Sequence, residues 1–182
     1  MDVVPAVVRS KQRPGALRSA RSFALVVVVA LGLACQSPPP PITGTLDTPE
    51  SLAVAVLDAL ARRDEARLRA LALTEAEFRT RIWPELPASR PERNLTAGYV
   101  WKDLAQKSDG YLRAVLARHG GQTMTLKRVE FSGETTDYRT FSVSRKSQLV
   151  VTDASGAEQR IRAFGSLLRA DGGVKVFSYV VD

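Results

Sequence analysis

The stretch TPESLAVAVLDALARRDEARLRALAL, residues Thr48–Leu73, decides the fold that the sequence predicts. Leucine and valine recur every fourth residue over Leu52–Leu60, which is the spacing of one face of an α-helix. Thr48 offers an N-capping hydroxyl, and the proline after it presets the backbone for a first helical turn. The charged run Arg62-Arg63-Asp64 interrupts the apolar pattern. We therefore expect a helix that ends at this run and a second, short helix over Ala66–Leu73.

After this helical pair, the pattern stays helical as far as residue 119. Thr74-Glu75-Ala76-Glu77 fits a capping box, which predicts a third helix that Pro84 ends. The prolines within Pro84–Asn94 predict a loop. Leu95–His119 predicts one long helix, or two helices joined near Gly110. The apolar face of this helical region would hold Leu95, Tyr99, Leu104, Tyr111, Leu112, Val115 and Leu116.

The remainder of the chain alternates apolar and polar residues, which is the pattern of β-strands. The predicted strands are Thr123–Phe131, Tyr138–Ser144, Ser147–Thr152, Gln159–Arg169 and Val174–Val181. The apolar parity changes between Leu126 and Val129, which predicts a bulge near Lys127-Arg128. The glycines of Ala170–Gly173 favour a hairpin turn. We expect an α+β fold in which N-terminal helices pack on a curved antiparallel sheet of about four to five strands.

This order of elements resembles the nuclear transport factor 2-like superfamily. The resemblance is carried by the helix-turn-helix Thr48–Leu73 and the terminal hairpin Phe164–Val181. It implies a cone-like domain with a cavity between helices and sheet. Enzymes of this shape commonly place an acid–base pair, often Asp and His, in that cavity.

The N-terminal segment has the pattern of a secretory signal peptide. Five basic residues and one acidic residue precede Ser22, and the apolar run FALVVVVALGLA, Phe23–Ala34, follows. At about 1.5 Å per residue, a run of this length is too short to cross a hydrocarbon core about 30 Å thick. A basic flank with a short apolar run therefore predicts a signal peptide over residues 1–34.

The end of the apolar run, Leu31-Gly32-Leu33-Ala34-Cys35, resembles the lipobox of bacterial lipoproteins. The resemblance implies cleavage between Ala34 and Cys35, a diacylglyceryl thioether on Cys35, and acylation of the new amino terminus. Two alternatives stay open, which are a conventionally cleaved secreted protein and an uncleaved anchor helix. Lipidation would also remove the only cysteine of the chain as a free thiol in an oxidising compartment.

The residues after the cysteine predict a tether. Pro38–Pro41 are four consecutive prolines, which favour an extended polyproline helix. We divide the chain into a signal peptide (1–34), a lipidated cysteine with a proline-rich tether (35–46) and one α+β domain (47–182). The resemblance to lipoproteins implies attachment to the cell membrane or outer membrane with the domain outside the cytoplasm. Gln36, in place of the Asp that marks inner-membrane retention, favours the outer membrane.

Composition and motifs exclude several classes of function. The net charge of +7 suggests nucleic acid at first, but residues 1–34 contribute +4 of it. We therefore predict no nucleic-acid partner. One cysteine and one histidine exclude a disulfide framework, a multi-cysteine zinc site and a His-rich metal site. The sequence has no phosphate-cradling GxxxxGK[ST] or GxGxxG loop, so we predict no cofactor.

The residues that carry chemistry are few, and we assign no catalytic or metal-binding residue. His119 is expected to act as a cationic or polar cap at a helix end. Trp101, Tyr111 and Tyr179 are the candidates to line a ligand site, because each joins a large apolar ring to a polar edge. The basic residues Arg139, Arg145, Lys146, Arg160 and Arg162 are expected mainly on a solvated sheet face.

Three hypotheses for function follow. The first is a cell-envelope lipoprotein whose non-catalytic domain binds a partner protein or a small ligand. The second is a cone-fold enzyme or isomerase that uses carboxylates and tyrosine, which requires a buried carboxylate beside Tyr111 or Tyr179. The third is a structural spacer bound to peptidoglycan or another envelope component, which predicts a sealed core and no pocket. The sequence leaves the oligomeric state open.

Overall fold

A computed structural model describes residues 40–181 of the chain. The predicted signal peptide, Cys35 and the first residues of the predicted tether lie outside this range. Within residues 40–181, no helix combines the length and the apolar character needed to span a membrane.

The domain begins with four α-helices, and local hydrogen bonds cap their N-terminal ends. They are α1 (Pro49–Ala61), α2 (Glu65–Ala70), the single turn α3 (Glu75–Glu77) and α4 (Ala97–His119). The Thr48 hydroxyl accepts from the Ser51 N–H at 3.1 Å, and the Ser51 hydroxyl accepts from the Thr48 N–H at 3.1 Å. A second capping box joins Thr74 and Glu77. Both predicted helix starts are confirmed.

The second helix is shorter than predicted, since it ends at Ala70 rather than Leu73. The residues that follow it bond to a strand instead. Leu73 N–H donates to the Val176 carbonyl at 2.8 Å, and Val176 N–H donates to the Leu71 carbonyl at 3.0 Å. These long-range bonds replace the last predicted turn of the helix. The local sequence pattern of residues 66–73 cannot indicate them.

Between α3 and α4 the chain forms a π-helical turn, Phe78–Ile82, and three 3₁₀ turns, Trp83–Glu85, Pro87–Ser89 and Pro91–Arg93. The third helix, predicted to run to Pro84, is therefore α-helical only over Glu75–Glu77 and continues as the π-helical turn. The predicted proline-rich loop is a series of 3₁₀ turns. Helix α4 runs unbroken through Gly110 for 23 residues. Its predicted apolar face is only partly correct, because Leu112 and Val115 are buried whereas Tyr99 and Tyr111 are exposed. The helix packs through a narrower stripe than its apolar residues suggest.

Seven strands in the described range form two antiparallel sheets, so the predicted α+β class is confirmed. The strands are β1 (Met124–Phe131), β2 (Thr135–Asp137), β3 (Phe141–Arg145), β4 (Ser147–Asp153), β5 (Glu158–Ile161), β6 (Ser166–Ala170) and β7 (Gly173–Ser178). One sheet has the order β1-β4-β5 and the other the order β2-β3-β6-β7. The predicted bulge is confirmed by a register shift between Leu126 and Arg128, and the predicted terminal hairpin is β6–β7.

The strand number exceeds the four to five expected, and one long predicted strand is divided. The run Gln159–Arg169 forms β5 in one sheet and β6 in the other, with residues 162–165 between them. Gly165 lies where the backbone is crowded: its carbonyl accepts from Ser147 N–H and its N–H donates to the Ser178 carbonyl, both at 3.0 Å. A Cβ on Gly165 would lie 1.4 Å from the Val180 carbonyl oxygen. Apolar and polar residues keep alternating across this break, so the sequence pattern does not indicate that the strand is divided.

The core has two clusters of buried apolar side chains. In the first, Leu60 of α1 packs in a cluster with Leu149 of β4 and Val174 of β7. In the second, Phe78 and Ile82 of the π-helical turn form a cluster with residues of the four-stranded sheet, which are Phe141, Val143, Leu168 and Ala170. Through these two clusters, the helical part of the chain packs against both sheets.

The segment Pro40–Leu46, which belongs to the predicted tether, contacts the domain. Ile42 is 5% exposed, and Leu46 exchanges two backbone hydrogen bonds with Val174 at 2.9 and 2.7 Å. The Lys175 ammonium donates to the Thr43 carbonyl at 2.8 Å. The described part of the tether is therefore held against the terminal hairpin.

Candidate ligand-binding cavity

The three predicted ligand-lining residues divide between two cavities. Tyr111 lines one of about 530 Å³, while Trp101 and Tyr179 share another of about 290 Å³. The first lies between the second half of α4 and β5, and we call it the α4–β5 cavity. The second lies between the end of α2 and α4. The structure therefore does not combine the three aromatic residues in one site.

The α4–β5 cavity has a helical wall and a sheet wall. One stripe of α4 supplies Tyr111, Ala114, Val115, Arg118 and His119. These positions recur at three- and four-residue intervals, which places them on one helix face. The opposite wall is formed by Gln148 of β4, by Gln159, Arg160, Ile161 and Arg162 in and after β5, and by Val181. The cavity thus combines apolar side chains with amides and guanidinium groups.

The charged residues of this cavity are all cationic. Arg118, Arg160 and Arg162 line it, and its lining within residues 40–181 includes no Asp or Glu. The Arg160 Nε lies 3.6 Å from Glu130 Oε2, and Glu130 also accepts from Arg128 Nε at 2.7 Å. In the described part of the chain, the Arg118 side chain has no hydrogen bond or ion pair. A positive potential in the cavity follows from this composition.

His119 is the last residue of α4 and is largely buried, at 9% exposure. Burial lowers the pKa of His119 below 6.5, against a hydrogen bond with Gln122 that raises it, and the charge of Arg118 lowers it further. The imidazole is therefore mainly neutral at neutral pH. It acts as a polar residue of the cavity wall, and the cationic form of the predicted helix cap is disfavoured.

Tyr179 and Trp101 both contact other residues inside the domain. Tyr179 is 1% exposed, and its hydroxyl donates to the Leu68 carbonyl at 2.7 Å. Burial raises the pKa of this hydroxyl above its ordinary value. The Trp101 ring lies 5.3 Å from the Phe78 ring, centroid to centroid. The polar edge of Tyr179 thus already has a partner inside the protein.

The enzyme hypothesis requires a buried carboxylate beside Tyr111 or Tyr179. Asp109 is the carboxylate that shares the second cavity with Tyr179, but its side chain is 43% exposed and is paired with Arg69. The buried Glu77 pairs with Lys175 at 2.9 Å. Within residues 40–181, therefore, neither of the two cavities is lined by a buried carboxylate. The same residues contain no group of three or more His, Cys, Asp or Glu side chains placed to hold a metal ion.

The α4–β5 cavity is predictable from the sequence only in part. The sequence predicts Tyr111 as a ligand-lining residue and Arg160 and Arg162 on a solvated strand face; all three line this cavity, and both arginines are exposed. The sequence gives no prediction for Arg118 and the two glutamines. The helical spacing of Tyr111, Val115 and Arg118 was available as a signal, but which strand faces that stripe is decided by tertiary packing.

Compared with known proteins, the chain matches no family model, no curated protein and no solved structure. The resemblances to bacterial lipoproteins and to the nuclear transport factor 2-like superfamily stay predictions.

Proposed function

We propose that this chain is a cell-envelope lipoprotein, anchored through fatty chains on Cys35, whose domain binds a small ligand in the α4–β5 cavity. The cavity is the observation that carries this proposal. Its volume of about 530 Å³ falls within the range of about 300–1,000 Å³ typical of small-molecule sites. Apolar walls with a few convergent polar groups are also typical of such sites.

A small ligand is favoured over the other hypotheses by the surface of the domain. A structural spacer predicts a sealed core and no pocket, whereas this domain has the α4–β5 cavity. A protein partner is best supported by a continuous exposed apolar patch. In the described range the large exposed apolar side chains are Val54 on α1, Leu95 two residues before α4, and Tyr99 and Tyr111 on α4, twelve residues apart.

The anchor is supported by sequence. Each methylene of an acyl chain buried in lipid contributes about 0.8 kcal/mol, so several chains on one residue hold a domain at a membrane for long periods. The basic flank, the short apolar run and the cysteine at its end occur in the order that lipidation requires.

Ligand binding is tested by filling the cavity. Ala114 lines it and is exposed on α4, whereas Ala117 is exposed on the same helix and does not line it. A library of small neutral and charged compounds is screened against the full chain by ligand-observed NMR. We expect compounds that bind the wild type and the Ala117→Trp control but not Ala114→Trp. Binding that survives Ala114→Trp, or no binding to the wild type, contradicts the proposal.

Lipidation is tested by metabolic labelling with an alkyne fatty acid in a bacterial host. We expect the wild-type chain to incorporate the label and Cys35→Ser to lose it. A matched variant combines Cys35→Ser with Ser37→Cys, which keeps one cysteine but moves it two residues along the chain. Labelling of this variant, or of Cys35→Ser alone, contradicts attachment at Cys35.

A further inference from the structure

We infer that the ligand of the α4–β5 cavity is an amphiphilic anion, a small molecule that joins an apolar body to a carboxylate or phosphate group. This inference rests on the proposed function and specifies its ligand class. Arg118 and Arg160 would bind the anionic group, and the apolar side chains around Tyr111 would contact the body.

Arg118 and Arg160 are less well paired than other arginines of the domain. Arg81 forms two hydrogen bonds with the Asp171 carboxylate at 2.8 and 2.9 Å, and Arg79 lies 2.7 Å from the Glu75 carboxylate. In the cavity, by contrast, Arg118 has no such partner within residues 40–181, and Arg160 reaches a carboxylate only at 3.6 Å. Since guanidinium groups pair well with carboxylates and phosphates, the cavity offers donors that a bound anion can take up.

The described residues of the lining supply no competing negative charge. No carboxylate of the described residues lines the cavity, so the charged side chains of the lining favour an anionic ligand over a cationic one. His119 is mainly neutral there, and the amides of Gln148 and Gln159 can donate or accept. These uncharged groups can form hydrogen bonds with an anionic ligand, and none of them needs a positive charge on the ligand as a partner.

The lining also has an apolar part. Tyr111, Ala114, Val115, Ile161 and Val181 share the cavity with the arginines. Tyr111 is 40% exposed and Ala114 is exposed, so this apolar wall is open to water, whereas Ile161 and Val115 join it to the core. A bare inorganic anion would leave this wall in contact with water. A ligand with an apolar body would cover it and gain about 25 cal/mol per Å² of apolar surface removed from water.

The test uses four probes with one apolar body and different head groups. They are naphthoate, naphthyl phosphate, the neutral naphthylmethanol and the cationic naphthylmethylammonium, with inorganic phosphate as a probe that lacks the body. Each is titrated by calorimetry into the full chain in an uncharged detergent, with detergent alone as the blank. The variants are Arg118→Gln and Arg160→Gln, with Arg118→Lys to retain the charge. The control is Arg113→Gln, which changes an exposed arginine of α4 outside this cavity.

We expect naphthoate or naphthyl phosphate to bind more tightly than the neutral and cationic probes and than inorganic phosphate. Because a charge-assisted hydrogen bond contributes strongly, each glutamine variant should weaken anion binding about tenfold to a hundredfold. Arg113→Gln should leave it unchanged, and Arg118→Lys should weaken it less than Arg118→Gln.

Three results would overturn the inference. Equal binding of the neutral probe shows a ligand site without anion preference, and the proposed function then survives. Equal binding of inorganic phosphate shows an anion site that does not use the apolar wall. If no anionic probe binds, the ligand class is wrong, and the separate screen with Ala114→Trp decides whether the cavity binds any small molecule.

Discussion

At the scale of single residues, the most consequential pair is Glu77 and Lys175. Their side chains are nearly fully buried and 2.9 Å apart. Glu77 also accepts from the backbone N–H groups of Thr43 and Thr74, both at 2.9 Å. One carboxylate therefore joins the tether segment, the start of α3 and the strand β7.

Removing this carboxylate should destabilise the domain strongly. Glu77→Gln leaves the buried Lys175 charge without its partner, which typically costs about 3–5 kcal/mol. The matched control is Glu75→Gln, two residues away, because its ion pair with Arg79 is about half exposed. Exposed pairs contribute less than about 1 kcal/mol. Urea unfolding measures both values, and equal losses in the two variants would refute a special role for Glu77.

The same residue should make stability depend on acid pH. Burial would raise the pKa of Glu77, but the hydrogen bonds from Thr74, Lys175 and Thr43 lower it from 4.5 to about 2. A lowered pKa in the folded state stabilises the fold above the unfolded value of 4.5, and this contribution is lost as the pH falls towards 2. Wild-type stability should therefore decrease more steeply over this interval than that of Glu77→Gln. Parallel curves from urea unfolding at each pH would contradict the assignment.

At the scale of elements, the sequence predicts features that depend on neighbouring residues, such as helix caps and turns. It does not predict pairing between distant segments. The caps at Thr48 and Thr74 and the β6–β7 turn depend on residues a few positions apart, and all three were predicted. The early end of α2 depends on two hydrogen bonds with Val176, about a hundred residues away: Val176 N–H donates to the Leu71 carbonyl, and Leu73 N–H donates to the Val176 carbonyl. The division of Gln159–Arg169 between two sheets depends likewise on the close approach of Gly165 to Val180. Such contacts leave no periodic signal.

Two glycines test this distinction. Gly165→Ala places a methyl group against the Val180 backbone and should destabilise the domain by about 1–3 kcal/mol or more. Gly110→Ala lies within α4, where an added Cβ meets nothing within 4 Å, and should stabilise it by about 0.5–1 kcal/mol. Thermal unfolding of both variants measures the difference. A neutral Gly165→Ala would show that this crossing between the sheets is not tightly packed.

At the scale of the whole molecule, the account joins a predicted lipid anchor to a domain with a cationic cavity. The net charge of +7 is a poor guide to partners, because its N-terminal share belongs to the predicted signal peptide. Within the described residues, three arginines share the α4–β5 cavity. The position of charge, more than its total, supports a small anionic ligand.

The central claim is that a mature chain begins with a lipidated Cys35. Intact-mass spectrometry of the chain extracted from bacterial membranes tests it most directly. The account predicts a product that lacks residues 1–34 and carries the added mass of a diacylglyceryl group and an amino-terminal acyl chain. A product with a free Cys35 thiol, or one that still begins at Met1, would contradict it.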